Sequence, residues 1–235
     1  MEIRDFNKLK VLITGGNKGI GLEISKLFVE NEIFVTSLSR TKNQSINSDK
    51  YRQIECDLSN QQNILNFVNE SNARNISFDI IINNAGIIEF GQFHKMELQP
   101  KLNMINTNLI APITLLTGFL PKMIENRFGI IVNISSIGAI SNFANCAVYN
   151  SSKAAILSLS KSLRNEVRKD GIKIIDIIPG ATFTDIWYED FKNKNKDRMI
   201  NPYYIAKLIY DSIKMSIDGN LMTEEIIITP QGGSL

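Results

Sequence analysis

The chain has 235 residues, 43% of them hydrophobic, and a net charge of only +2. It can therefore fill a core without staples, and nothing in its overall charge draws it to nucleic acid or to a membrane surface. Cys56 and Cys146, without CxxC spacing, suit reduced thiols in a cytoplasmic protein better than a disulfide framework, while a single histidine, His94, excludes a multi-histidine metal site.

No unbroken apolar run reaches ~18 residues, and the opening "MEIRDFNKLK" is charged, so neither a spanning helix nor a signal segment is expected. The first apolar run, "KVLITG", leads directly into "TGGNKGIG", Thr14 to Gly21. Glycines in a strand-to-helix turn allow positive φ and close approach of a ligand to the backbone. The helix expected near 19–31 then offers unpaired N–H groups and a positive dipole end to an anion. The second run, "IFVTSLS", ends in Ser39 and Arg40, with Arg40 nineteen residues beyond Gly21. A dinucleotide site of this type uses an acid there to bind the adenosine ribose of NAD. Here the position is basic and Lys18 adds a second cation. With the Ser39 hydroxyl, the group suits a ribose 2′-phosphate; the alternative is that both cations are simply solvated.

The third run, "RQIECDL", ends near Asp57, which either accepts a hydrogen bond from an adenine amino group or caps the helix expected near 60–70. "FDIIINNAG" reads as a fourth strand, and its asparagines are expected to brace neighbouring loops. A helix near 100–127 follows, bent or interrupted by Pro112 and Pro121. "GIIVNISS", a helix near 149–170, "GIKIIDIIPG", a helix near 202–217 and "EEIIIT" complete the series, with Asn201-Pro202 as N-cap and first helical residue. Continuous apolar strands alternating with helices predict an α/β, doubly wound Rossmann-type fold. Its seven-stranded parallel sheet would be flanked by helices, with ligands at the carboxyl ends of the strands. No linker or repeat divides the chain, so one domain over 1–235 is expected.

The reactive set lies in the second half. "YNSSK" places Tyr149 and Lys153 four apart on one helix face. A phenol with a pKa near ~10 is a poor acid–base group at neutral pH, and a nearby ammonium is expected to lower that pKa. Ser136, thirteen residues before Tyr149, ends the fifth strand, where its hydroxyl can hold a substrate oxygen; Asn108 lies in the preceding helix.

Taken together, "TGGNKGIG", "CD" at 56–57, "NNAG", "NTNL" around Asn108, "NISS", "YNSSK" and "PG" at 179–180 followed by Thr184 resemble the short-chain dehydrogenases/reductases, and the likeness runs from Lys10 to about Thr184. The resemblance implies an NADP-preferring, carbonyl reductase-like enzyme with Tyr149 as general acid. Lys153 would hold the nicotinamide ribose and depress the tyrosine pKa. Ser136, rather than Ser135, would orient the carbonyl, and Asn108 would support a water that relays protons to the lysine. NADP(H) is the expected cofactor, with NAD(H) possible. It would lie along Gly15, Asn17, Lys18, Gly19, Ile20 and Gly21, then Ser39, Arg40, Asp57 and Leu58. Asn84, Ala85 and Gly86 would continue the site past Tyr149 and Lys153 to Pro179, Gly180, Thr182 and Thr184, the last on the carboxamide. The partners implied are a small carbonyl or alcohol substrate and further copies of the chain, as a homodimer or homotetramer through helices 100–127 and 149–170.

A short substrate lid is expected near 181–200, where Phe183, Ile186, Trp187, Tyr188 and Phe191 either line an apolar pocket or pack a loop. Phe143, Phe183 and Trp187 are the substrate candidates, with Phe90 and Cys146 as further walls. A second reading is a 3-oxoacyl-acyl-carrier-protein reductase. Arg127 matches the first of two basic rim residues used by such relatives, but Asp170 stands with the wrong sign at the second, and "EEIIITPQGGSL" departs from their usual ending. A non-catalytic dinucleotide sensor would show a damaged Tyr/Lys/Ser set, which this chain does not.

Overall fold

Seven parallel strands form one sheet in the computed structural model, which describes residues 5–218 and 221–233 of the chain. The strands are β1 (Lys10–Thr14), β2 (Phe34–Ser39), β3 (Tyr51–Glu55), β4 (Ile80–Asn83), β5 (Gly129–Ile134), β6 (Ile172–Pro179) and β7 (Glu225–Ile228), in the order β3-β2-β1-β4-β5-β6-β7. The helices between them are α1 (Gly19–Glu30), α2 (Gln61–Ala73), α3 (Leu98–Ile105), α4 (Ala111–Glu125), α5 (Gly138–Ser141), α6 (Ala147–Val167), α7 (Glu189–Lys194) and α8 (Pro202–Asp218). This is the doubly wound arrangement expected from the alternating runs. The chain reverses its direction of sheet growth between β1 and β4, and that switch point opens a crevice at the strands' carboxyl ends.

Successive side chains of a strand face opposite sides, so each inner strand feeds two cores. Val11 and Ile13 of β1, Ile80 and Ile82 of β4, and Ile130 and Val132 of β5 join α1 and α8 through Ile24, Phe28, Ile209 and Ile213. Leu12, Ile81 and Ile131 point the other way, to α2 and α4 through Phe67, Leu115 and Phe119. Two-sided burial fails only at the edges, where β3 and β7 are half-exposed because no further strand or helix covers them. At α8 the expected cap is present, with Asn201 Oδ1 accepting from the Tyr203 amide at 2.9 Å.

The helix expected over 100–127 is broken once. Residues Asn106–Ile110 form a π-helical segment between α3 and α4, and Pro112 sits at the start of α4. Proline has no N–H to give the carbonyl four residues earlier, that of Asn108, and a widened turn accommodates the lost bond. Pro121, by contrast, is carried inside α4. The stretch Leu98–Glu125 is long and apolar enough to cross a membrane by length and composition. It carries Leu115, Leu116, Phe119 and Met123 into the core on one face of the sheet.

Polar contacts pin α6 to β5 and β6 from Lys153 to Arg164, about three turns. Ser135 Oγ donates to the Lys153 carbonyl at 3.0 Å and Lys153 Nζ to the Ile134 carbonyl at 2.8 Å. Further along, Ser160 Oγ donates to Asp176 Oδ1 at 2.6 Å, and Arg164 Nη2 meets Asp176 Oδ2 at 2.8 Å with both side chains buried. Lys153, Ser160 and Arg164, seven and four residues apart, share one helix face, so the register that places the reactive residues is fixed from Lys153 to Arg164.

Candidate active site

The glycine turn at the end of β1 explains its own composition. Gly15 and Gly19 have φ of +69° and +54°, the left-handed region that favours glycine. A Cβ on Gly21 would lie 2.2 Å from the Gly15 carbonyl oxygen, so α1 can approach the turn only without a side chain there. Lys18, the N-cap residue of α1, makes no side-chain cap, which leaves the first helical N–H groups for another acceptor. From the other side the turn is braced by Asn84, whose Nδ2 donates to the carbonyls of Thr14 (2.8 Å) and Gly15 (3.2 Å). Thr14 Oγ1 in turn accepts from the amides of Asn84 and Ala85. The bracing role expected of "NNAG" is thus visible, whereas Thr14 was not among the expected site residues; its place before the first glycine was the only signal.

A cleft of about 980 Å³ runs from this turn across the carboxyl ends of β2, β3, β4, β5 and β6. Of the expected residues, the turn from Gly15 to Ile20 (Gly16 excepted), Ser39, Arg40, Asp57, Leu58, Asn84, Ala85, Gly86, Ser136, Phe143, Tyr149, Lys153, Pro179, Gly180, Thr182, Thr184 and Trp187 line it. Gly21, Asn108 and Phe183 do not. Gly21 acts through packing. Asn108 is buried, its Nδ2 donating to Ile87 O and Ser152 Oγ at 3.0 Å each and its Oδ1 accepting from the Ile87 amide at 2.9 Å. Its side chain is therefore engaged by Ile87 and Ser152. Phe183 points away from the cleft toward Lys192 and Lys196, whose Nζ atoms lie 5.5 and 5.8 Å from its ring centre. Its candidacy as a substrate wall is not supported.

At the end of β2, Lys18 and Arg40 are exposed at the cleft, with no acid at positions 39–41. Ser39 behaves differently from expectation. Its buried hydroxyl donates to the Thr41 carbonyl at 3.0 Å, so it shapes the loop rather than offering a proton to a ligand. Asn17 Nδ2 also reaches Thr41 at 3.0 Å, tying this loop to the glycine turn. Asp57 lines the cleft while its Oδ1 holds the amide and hydroxyl of Ser59; the cap of α2 is Asn60, whose side chain accepts from the Gln62 amide.

Tyr149, Lys153 and Ser136 meet at the centre. Ser136 Oγ accepts from the Gly138 amide at 3.1 Å, which leaves its own proton for another acceptor. Ser135 is buried and bonded to α6, so of the two serines Ser136 is the one whose hydroxyl turns to Tyr149 in the cleft. Lys153 Nζ lies 6.0 Å from the Tyr149 ring centre. Burial pulls its pKa down to about 8, and burial also pushes Tyr149 up, against the hydrogen bond with Ser136. The expected lowering of the tyrosine pKa by the lysine is thus not present in the chain by itself: desolvation favours the neutral form of both groups. A phenol kept protonated is the form a proton donor needs. His94 lies exposed in the loop between β4 and α3, away from the cleft, so no histidine serves here.

Over the far end lies the lid. Thr182 bridges to Ile200, closing the segment, and Thr184 packs against Gly19. Phe90, Trp187 and Phe191 stack in succession, at 5.7 Å and 24°, then 5.1 Å and 28°. The lid aromatics thus do both things the sequence left open: Trp187, Tyr188 and Phe191 line the cleft, and they are packed on one another.

The residues present fit a nicotinamide dinucleotide: a cradle that admits no Cβ, free helix N–H groups for a pyrophosphate, and a buried lysine within 3.1 Å of where a Cβ on Gly86 would stand. The chain belongs to the short-chain dehydrogenase family, whose model, described as short chain dehydrogenase, matches residues 9–195. It is an oxidoreductase of that family. It is 30% identical over 185 residues to the 3-oxoacyl-[acyl-carrier-protein] reductase of Chlamydia pneumoniae, covering 75% of each chain. It is 32% identical over 183 residues to the acetoacetyl-CoA reductase of an Acinetobacter strain, covering 74% of each. Among solved structures it is similar to a 4-hydroxyisoleucine dehydrogenase complexed with NADH, with a TM-score of 0.87 at 27% identity over 97% of this chain and 100% of that one.

Proposed function

We propose that this chain, as a single catalytic domain, reversibly reduces a ketone or aldehyde to the alcohol and prefers NADP(H) to NAD(H). The observation that carries the reaction is the convergence of the Tyr149 and Ser136 hydroxyls beside buried Lys153 at the carboxyl ends of β5 and the start of α6. The nicotinamide cofactor, when bound, supplies the hydride. Tyr149 hands its proton to the carbonyl oxygen as negative charge develops there, and Ser136 donates a hydrogen bond to the same oxygen. Lys153, fixed by the Ile134 carbonyl, holds a ribose hydroxyl and resupplies the proton. The backbone carbonyl of Asn108, which Pro112 cannot satisfy, is the group left to hold a relay water.

Lys18 and Arg40 support the cofactor preference: two guanidinium or ammonium groups and no carboxylate face the place of the ribose 2′-position. Cofactor oxidation is followed with NADPH and with NADH over a panel of ketones and aldehydes, beside binding of each dinucleotide alone. Turnover with NADPH at higher kcat/KM than NADH is expected. Binding without turnover of any carbonyl would make the chain a sensor, and tighter binding of NADH would reverse the preference.

A carrier-bound 3-oxoacyl substrate is the second reading, supported by the names of the relatives. Against it, Arg127 and the 168–170 turn flank the amino ends of β5 and β6, while the cleft lies at their carboxyl ends, and Arg127 donates to the Lys169 carbonyl at 3.0 Å. A carrier held on those residues could not deliver its chain to the cleft of the same copy. Assembly as a homodimer or homotetramer in the cytoplasm is part of the same reading. Exposed Leu98, Leu102 and Ile113 on the 98–125 helices supply an apolar contact face, and light scattering at micromolar concentration tests it.

A further inference from the structure

The substrate half of the cleft differs sharply in chemistry from the cofactor half. Its walls are Phe90, Trp187, Tyr188 and Phe191 on the lid side and Phe143 and Cys146 beside Tyr149. Phe90, Trp187 and Phe191 stack as a column of three rings, and Trp187 Nε1 donates to the Thr182 carbonyl at 3.0 Å, which fixes the plane of the middle ring. Much of the Trp187 face is already taken by its neighbours, so the column, with Tyr188 and Phe143, offers a flat substrate group ring edges and outer ring faces, and offers little to a small alkyl chain.

Charge sharpens the selection. Among the described residues, the cations that line the cleft are Lys18, Arg40 and Lys153. The first two stand at the ribose end, and the third is engaged by the Ile134 carbonyl. Lys192 pairs with Asp185 at 2.7 Å and does not line the cleft. The substrate half instead carries Glu89, whose carboxylate has no ion pair among the described residues. Glu89 is exposed, so it repels a substrate carboxylate through solvent and most strongly at low ionic strength, and no free counter-charge among the described residues of this half of the cleft offsets that repulsion.

We propose that the substrate is an uncharged carbonyl compound bearing a flat aromatic or similarly broad apolar group, seated among Phe143, Tyr188 and the Phe90–Trp187–Phe191 column, and that Glu89 disfavours free oxo acids. This rests on the reductase reading above and deepens it.

The test uses two matched pairs, methyl benzoylformate with benzoylformate and ethyl pyruvate with pyruvate, in NADPH oxidation at low ionic strength. The aryl ester is expected to exceed the aryl acid at least ~10-fold in kcat/KM and to exceed the alkyl ester by a similar factor. Glu89→Lys should narrow or invert the ester-to-acid ratio. Trp187→Ala, and Phe191→Leu as a milder second variant, should lower the aryl-to-alkyl ratio chiefly through KM. Equal turnover of acid and ester, or ratios unmoved by Glu89→Lys, would overturn the charge exclusion and leave the reductase reading standing. A preference for the alkyl ester would overturn the aromatic slot. NADPH binding with no turnover of either pair, nor of any carbonyl in the wider panel, would overturn the reductase reading and this inference with it.

Discussion

Arg164→Met would remove one half of the buried ion pair that fixes α6 against β6. The guanidinium is 4% exposed and its partner Asp176 is fully buried, with Nη2 and Oδ2 at 2.8 Å. Arg164 also serves the carbonyls of Ile174 (3.1 Å) and Glu224 (3.0 Å). Burial already pushes Asp176 up to about 6, while Ser160, Arg164 and Asn133 pull it down. Breaking such a pair from one side costs ~3–5 kcal/mol, since it leaves a buried charge uncompensated. An unfolding entropy of ~2.1 cal/mol/K per residue gives roughly 0.5 kcal/mol/K for this chain, so Tm should fall by about 6–10 °C near neutral pH. The pH dependence has a definite sign. Without Arg164 the folded carboxyl pKa rises further above its unfolded value of ~3.9, so the folded state binds the proton more tightly. The deficit relative to the unaltered chain is therefore smallest below about pH 6, where the carboxyl is protonated in both folded forms, and grows by up to ~1.4 kcal/mol per unit from there to the variant's higher folded pKa. Circular dichroism melts at about pH 5 and about pH 7.5 measure this, and Arg164→Met/Asp176→Asn should recover at least half of the loss. A drop below ~2 °C near neutral pH, or one of equal size at both pH values, would refute the reasoning.

Arg40→Asp should reduce or reverse the preference for NADPH over NADH, read as the ratio of the two dissociation constants; an unchanged ratio would remove Arg40 from the 2′-phosphate site. Gly21→Ala, whose Cβ would meet the Gly15 carbonyl oxygen at 2.2 Å, should destabilise by about 1–3 kcal/mol and weaken dinucleotide binding together, and binding titration beside a melt checks both. Because burial raises the Tyr149 pKa, the phenol stays protonated at neutral pH. Carbonyl reduction should then be nearly flat from about pH 6 to 7 and fall as Lys153 titrates near 8, while alcohol oxidation, which needs the phenolate, should climb toward alkaline pH. An oxidation rate that fell with rising pH would contradict that assignment.

Much of the fold is legible because a parallel strand covered on both faces leaves an unbroken apolar run, as "IIIN" in β4 and "GIIVNI" in β5 do. The turn and the Tyr149–Lys153 pair are legible because positive φ and a shared helix face constrain residue type at fixed spacing. What sequence could not carry is direction and competition. Phe183 and Trp187 are four apart in the same lid, yet one faces Lys192 and the other the cleft. Ser39 looks like a ligand donor until Thr41 takes its proton, and Asn108 looks like a water holder until Ile87 and Ser152 take its amide. The shift of the Tyr149 pKa is a balance of burial against neighbours, and its sign follows from depth in the cleft, which no spacing reports.

Tyr149→Phe removes one hydroxyl and leaves the ring that lines the cleft, so turnover of a good carbonyl substrate beside NADPH affinity in this variant is the most direct measurement. General acid catalysis by Tyr149 predicts a kcat lower by about 10²–10⁴ with NADPH binding kept. A kcat equal to that of the unaltered chain would contradict it.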